Sequence, residues 1–472
     1  MSPMSIDRRL FLRHSLIAGL AAAVLSELGS ASARHPKQRA VADRQRPLSP
    51  TPDASTGRYL LRLPEGFRYF SFGWSGERLA SGGVIPTAAD GMGVVASSGS
   101  RLTLVRNHEI AQTVGAFDAT DLAYDPHCGG GCVRLHVDLD AERMISAEVG
   151  LSGTLVNCAG GVSPWGTWLS CEEIAVAREQ THRPPPLARK SPLSQPHGLV
   201  FEVAASGSAR ARPIEAMGIF RHEAVAVDAK SGAVYLTEDR DPEAGFYRFT
   251  PRVRGDLHQG GRLEMLKAHR APDLRRGQRV GSQLPVSWVP IDDPGRCHST
   301  GSFDQGGVVM QGLAHGASRF LRLEGCLMRS DGCWFTSTSG GDAGAGQVWR
   351  LNTAANLLEL MFEVSDRSRI DYPDNICEGP GDPGNGAAGE RSGIVICEDS
   401  TRRTRQKLLW LGRDARLLTI AENMTQVDRV DYGASEWAGC CVSPDGKWLF
   451  ANVQRPGFSV AITGPWDEWL SA

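Results

Sequence analysis

The sequence predicts an all-β chain, a six-bladed β-propeller with loop insertions. Three observations predict it. Glycine and proline are heavily used, at 54 and 27 residues of 472, which calls for many turns between short strands. A hairpin pattern recurs along the chain, and its copies carry polar or acidic residues at equivalent ends. With 41% hydrophobic and 22% charged residues, such a chain can bury a full core.

The N-terminus is an address rather than part of the fold. In DRRLFLRHSLIAGLAAAVLSELGSASAR, Arg8-Arg9-Leu10-Phe11-Leu12 fits the twin-arginine export pattern, and Ala31-Ser32-Ala33 supplies small residues for cleavage. The apolar run from Leu16 to Leu25 is too short to span a bilayer. Residues 1–33 are therefore read as a signal peptide and 34–56, rich in Arg, Pro and Ser, as a flexible leader. Residues 57–472 are read as one catalytic propeller domain. The expected partner at this end is the twin-arginine export machinery. The mature chain is expected to be periplasmic or secreted, without stable membrane insertion.

A formal net charge of -2 gives no field that would gather nucleic acid, so none is expected as a partner. No coiled-coil pattern or apolar edge calls for a partner subunit, and a monomer is expected. Eleven cysteines is an odd number for a disulfide framework. Cys128 and Cys132 of HCGGGC read as buried or bridged, with weak metal binding as the alternative, and Cys440-Cys441 as strand neighbours facing opposite sides.

The repeat appears when four stretches are set side by side: NCAGGVSPWGTWLSCEE (157–173), HEAVAVDAKSGAVYLTEDR (222–240), EGCLMRSDGCWFTSTSGG (324–341) and EWAGCCVSPDGKWLFANVQ (436–454). Each has a short apolar strand, a turn at Gly166, Gly232, Gly332 or Gly446, and an aromatic strand ending in polar or acidic residues. VVASSGSRLTLVRNHE (94–109) and NICEGPGDPGNGAAGERSGIVICED (375–399) are looser copies. Further strands follow, as in GLVFEVA, GFYRFTP, GQVWRLN and KLLWLG, and most copies recur after roughly 50 to 65 residues, the span of a four-stranded blade. A polar, Pro-rich insertion lies around Arg270 to Phe303.

In a propeller the innermost strands surround one axis, so equivalent positions meet at one height. That brings strand starts Asn157, Glu223, Glu324, Asn375 and Glu436 together with strand ends Glu109, Cys171, Glu172, Glu238, Glu398 and Asn452. Carboxylates gathered in a partly dry funnel must take up protons or be compensated by cations. The oxygen-rich set suits Ca²⁺, and the thiolate of Cys171 suits iron or zinc.

NHE at 107–109, NCAGGVSPWGTWLSCEE, FRHEAVAVD, YLTEDR with GFYRFTP, FLRLEG with FTSTSGG, YPDNIC and LFANVQRPG together resemble the PhoX-type alkaline phosphatases, a family of exported bacterial phosphomonoesterases. The resemblance runs across nearly the whole mature chain. It implies a six-bladed propeller with a cluster of Fe³⁺ and Ca²⁺ and a cysteine thiolate on iron. Carried over by position, it implies Cys171 as the iron thiolate, Glu223 and Glu324 as metal carboxylates, and Arg322 facing the substrate phosphate. By the same resemblance Asn157, Glu172, Glu238, Asp374, Asn375 and Glu398 would complete the iron and calcium shells. The chain departs from the family pattern in carrying Arg455 in NVQRPG, where a histidine is expected.

The implied activity is hydrolysis of small-molecule phosphomonoesters at the metal cluster. A phosphate dianion would be repelled by an acidic funnel unless bound metals reversed its sign. Arg322 would add a forked, permanently charged clamp. His108 and His222, each beside a glutamate, are candidate proton donors to the leaving alcohol or else buried strand histidines. Two other readings fit a propeller: a calcium-dependent lactonase, which PDN followed by a strand also resembles, and a non-catalytic binding propeller with structural calcium.

Overall fold

The four closest copies of the hairpin fold as their pattern requires, an apolar strand, a glycine turn and an aromatic strand paired antiparallel. The computed structural model describes residues 46–118, 121–181, 192–381 and 393–471. The described residues all lie in one compact unit; residues 1–45 lie outside them, and so does the expected signal peptide. The described residues are nearly all β, with two short α-helices at Gly307–Ala314 and Trp466–Ser471. Among them no helix is long and apolar enough to cross a membrane.

Strands Ala89–Ser98, Arg101–His108, Gly130–Asp138 and Arg143–Thr154 form one sheet in chain order, and Asn157–Val162, Thr167–Glu172 and Val200–Ala204 form the next. A third set begins at His222–Val227 and runs through Val234–Glu238 and Phe246–Val253 to Asp256–Ala268. A fourth begins at Leu323–Arg329 and runs through Gly332–Ser337 and Gln347–Asn352 to Leu357–Glu363. Gln283–Pro290, from the Pro-rich insertion, pairs with the outer edges of both, joining them into nine strands. Pro373–Glu378, Ile394–Glu398, Lys407–Leu411 and Leu417–Asn423 follow, extended by Tyr59–Pro64 and Leu48–Pro52. The stretch expected as a flexible leader, 34–56, thus contains an edge strand within its described part, held by pairing to Tyr59–Pro64.

The last sheet is Trp437–Val442, Leu449–Val453 and Phe458–Thr463, completed by Arg68–Phe72 from the other end of the chain. This pairing ties the two ends of the unit together. The first strands of the sheets pack side by side in chain order, Ala89–Ser98 on Asn157–Val162, then His222–Val227, Leu323–Arg329, Pro373–Glu378 and Trp437–Val442, which returns to Ala89–Ser98. The architecture is propeller-like, with these strands around a common axis. Buried aromatics fill the space between sheets. Phe246 stacks on Phe335 with centroids 4.2 Å apart, and Phe320 meets Trp349 edge-on. Full burial of such a side chain is worth about 1.5–3 kcal/mol.

Candidate metal centre at the strand ring

Each inner strand carries the same irregularity at the same place. Between Ala89 and Met92 the inner strand advances three residues while its partner advances two, from His108 to Arg106. The same one-residue excess falls between Asn157 and Gly160, His222 and Val225, Leu323 and Cys326, Pro373 and Ile376, and Ala438 and Cys441. A bulge of this kind re-aims the extra side chain out of the strand's alternation. The residues at the first bulge position are Asp90, Cys158, Glu223, Glu324, Asp374 and Gly439. Five are metal-ligand types. Gly439 has φ of 57°, and a Cβ there would come within 2.4 Å of the Asp90 carbonyl oxygen, so glycine is required. Glu436, just upstream, supplies the carboxylate in that sector.

Three ligand groups result, in each of which one atom per residue lies within 4.8 Å of the others: Asp90 with Glu109 and Glu436, Cys158 with Glu173 and Glu223, and Glu223 with Glu324 and Asp374. Glu223 belongs to two of them. Cys158 Sγ lies 3.3 Å from Glu223 Oε1 and 3.7 Å from Asp90 Oδ1, linking the groups.

The second strands contribute the residue just past their ends: Glu109, Glu173, Asp239 and Asp399, with Gln454 in the last sheet. Alternation sends the preceding residue the other way. Glu172 accepts hydrogen bonds from the amides of Leu155, Gly198 and Leu199 and pairs with His197 Nδ1 at 2.7 Å. Glu238 accepts from Gly245 N and Tyr247 Oη, and Glu398 from Asp371 N and Lys407 N with Arg403 beside it. These three acids, expected as ligands, are fully buried and engaged in holding strand ends.

The expected thiolate also lies elsewhere. Cys171 is fully buried in an apolar cluster with Leu169, Val200 and Leu236, where burial pushes its thiol well up. Among the described residues it joins none of the three groups, and the thiol at the ring is Cys158. Asn157 is turned into a buried network with Thr154 and Ser170. Asn375 accepts from Cys440 N at 3.1 Å and lines a cavity of about 1050 Å³ beyond the bulges, with Gly160, Val225 and Ile376. His108 and His222, the expected proton donors, precede Glu109 and Glu223 and face away from the ring. Their rings are fully buried, His108 Nδ1 at 2.8 Å from Thr87 O and His222 Nε2 at 3.1 Å from Gly218 O. Burial lowers both, His222 to about 3, so they are neutral strand histidines. Of the predicted ligands the fold brings together Glu223, Glu324 and Asp374, and it also gathers Glu109 and Glu436, which were expected at the same mouth. Asp90, Cys158, Glu173, Asp239 and Asp399 were missed, although the doublets Glu172-Glu173, Glu238-Asp239 and Glu398-Asp399 were a readable signal.

The cysteines are all unbridged, Cys128 and Cys132 included. Cys132 Sγ lies 2.9 Å from Asn107 Oδ1.

Electrostatically the ring is overloaded with acid. Burial first, then mutual repulsion, raises Glu223, Glu324, Asp374, Glu109 and Glu436 well above the usual carboxyl range. Asp90 rises to about 6 and Glu173 to about 8, again through burial first. Gln454 Nε2 sits 2.7, 2.8 and 3.2 Å from Glu109, Glu436 and Asp90, three carboxylates around a nitrogen with two hydrogens. Glu223 Oε2 is buried and unpartnered. These deficits fit cations: oxygen-only groups suit a hard ion, and the group with Cys158 a softer one.

Two arginines stand over the acids. Arg322 forks onto Asp239, Nε at 2.9 Å and Nη2 at 3.1 Å, and Nη2 also reaches Glu324 at 2.8 Å. Arg221, unrecognised in the sequence, pairs with Glu173 and lies 3.9 Å from Asp239. Both side chains are partly exposed, at 30% and 36%. They can therefore meet an incoming anion while remaining oriented by the acids.

Among solved structures, the chain is similar to a gluconolactonase from Xanthomonas campestris, at 13% identity and TM-score 0.40 over 89% of this chain and 98% of that one. It is also similar to the PQQ domain of a pyranose dehydrogenase from Coprinopsis cinerea, at 10% identity and TM-score 0.35 over 86% and 97%. A third is the Pan2 WD40 domain of Neurospora crassa, at 8% and 0.35 over 80% and 90%. None of these likenesses speaks to chemistry. A search of the curated proteins finds no match. The family model described as alkaline phosphatase PhoX matches residues 45–457, a span that contains every ligand group of the ring, and the chain belongs to that family.

Proposed function

We propose that the protein is a metal-dependent phosphomonoesterase, an exported alkaline phosphatase built on a six-bladed propeller with its reaction centre at the mouth of the strand ring. The observation that carries this reading is the placement of Asp90, Cys158, Glu223, Glu324 and Asp374 at one bulge position of successive inner strands, in a chain of the PhoX family. Cys158, Glu173 and Glu223 would hold Fe³⁺, and the oxygen-only groups of Glu223, Glu324 and Asp374, and of Asp90, Glu109 and Glu436, would hold Ca²⁺. Such ions, when bound, stabilise charge on phosphoryl oxygens and supply a nucleophilic oxygen.

The chain's own residues do the rest. Arg322 and Arg221 present guanidinium groups to the phosphate dianion, positioned by Asp239, Glu173 and Glu324. With the fork of Arg322 held on Asp239 and Glu324, its remaining N–H groups meet the phosphate and orient the ester for in-line displacement. With His108 and His222 buried and neutral, the leaving alkoxide takes its proton from solvent at the open mouth.

Hydrolysis of p-nitrophenyl phosphate tests the reading. Activity that disappears with a chelator and returns with calcium and iron supports it; turnover of lactones without phosphatase activity, or no turnover of either, contradicts it. Export as a monomer to the periplasm or medium is part of the same proposal. Replacing Arg8 and Arg9 by lysine is expected to hold the protein in the cytoplasm.

A further inference from the structure

Behind the ring lies a second group of ligand-type side chains. Asp125, Cys128 and His197 each offer one atom within 4.8 Å of the other two, and all three are fully buried. The group is lined by Leu155, Val156, Ile174 and Leu193, with Tyr124 edge-on to the imidazole at 5.5 Å.

His197 Nε2 lies 3.5 Å from Cys128 Sγ and 3.5 Å from Asp125 Oδ2. The second distance exceeds the N–H···O range of about 2.7–3.2 Å, so a shared proton accounts for the arrangement poorly. It corresponds instead to the edges of a tetrahedron around a metal. With Zn–N and Zn–O near 2.0 Å and Zn–S near 2.3 Å, the edges are about 3.5 Å for N···S and about 3.3 Å for N···O.

The surroundings complete the picture. His197 Nδ1 is 2.7 Å from Glu172 Oε1, which favours the tautomer with Nδ1 protonated and the lone pair of Nε2 turned to a metal, the carboxylate–histidine–metal relay of zinc sites. Asp125 is aimed by the amides of His127, Ser194 and Gln195. A thiolate, an imidazole and one carboxylate form a mixed S, N, O set suited to zinc and unsuited to calcium, which takes oxygen ligands. Zn²⁺ with ionised Cys128 and Asp125 is a neutral unit, which the apolar surroundings favour.

We infer that Asp125, Cys128 and His197 form a structural zinc site, separate from the ring. The metal clips the segment before Gly130–Asp138 to the segment leading into Val200–Ala204.

The test is elemental analysis of the full-length protein purified without chelators from zinc-supplemented medium. About one zinc per chain is expected, lost in Cys128→Ser and His197→Gln with iron and calcium unchanged. Cys158→Ala is expected to do the reverse, keeping zinc and losing iron, so failure here is distinguishable from failure of the phosphatase reading. Zinc absent from the wild type, or retained by both site variants, overturns the inference. Should those variants not fold, X-ray absorption at the zinc edge of the wild type decides. A single sulfur shell near ~2.3 Å supports the site, and a shell of nitrogen and oxygen alone refutes it.

Discussion

Glu172 and Glu173 are neighbours in the chain and opposite in chemistry. Glu172 is surrounded by donors, three backbone amides and an imidazole. Glu173 faces the carboxylate of Glu223 and the thiol of Cys158, with Arg221 in contact as a donor. Glu398 against Asp399 repeats the contrast, whereas Asp239, beside Glu238, takes the fork of Arg322. Acids with donors close strand ends and belong to folding. Acids without them are arranged against one another, an arrangement that costs stability unless a cation is bound.

The largest effect that sharpens this comparison is expected at Glu223, which two ligand groups share. Glu223→Gln should cut phosphatase activity by about 100-fold or more, the scale of losing one charge-stabilising group at a reaction centre. Activity within a few-fold of wild type would break the comparison. Arg322→Lys removes the fork while keeping the charge. It is expected to lower kcat/KM by about 10- to 100-fold, equivalent to one charged hydrogen bond of roughly 1.5–3 kcal/mol. Calcium and iron content should not change.

On the other face, Glu238→Ala leaves Gly245 N and Tyr247 Oη without their buried acceptor. A stability loss of about 1–3 kcal/mol in denaturant unfolding is expected, with metal content retained. Loss of metal with unchanged stability would reverse the assignment of the two faces.

The smallest effect is in pH. In metal-free protein, Asp90 at about 6 and Glu173 at about 8 sit above the ordinary 3.8 and 4.5 of unfolded carboxyls. The folded state then holds protons that the unfolded chain releases, so this contribution to stability is complete below about pH 4 and lost as pH rises toward 8. Thermal melting of chelated protein should fall between pH 5 and pH 8, and restoring calcium and iron should raise Tm more at pH 8 than at pH 5. A chelated protein that melts higher at pH 8 would contradict it.

The repeat, the hairpins and the convergence of acids on one ring were legible because glycine turns and alternating apolar residues leave a period in the sequence. What was not legible is the bulge. One extra residue changes which neighbour at a strand start is re-aimed, so Asn157 was read where Cys158 stands and Asn375 was set beside Asp374, while Glu223 and Glu324 were read where they stand. At the second strands the reading stopped one residue early, at Cys171-Glu172 instead of Glu173, because alternation fixes that facing differs between neighbours but not which neighbour faces the axis. Arg68–Phe72 completing the last sheet, and Gln283–Pro290 bridging two others, are long-range pairings without a local signature.

The central claim, that the bulge carries the metal-binding side chains, is tested most directly by the iron content of two single variants. Cys158→Ala is expected to lose its iron while Cys171→Ala keeps it. Iron lost from Cys171→Ala and retained in Cys158→Ala would contradict the account.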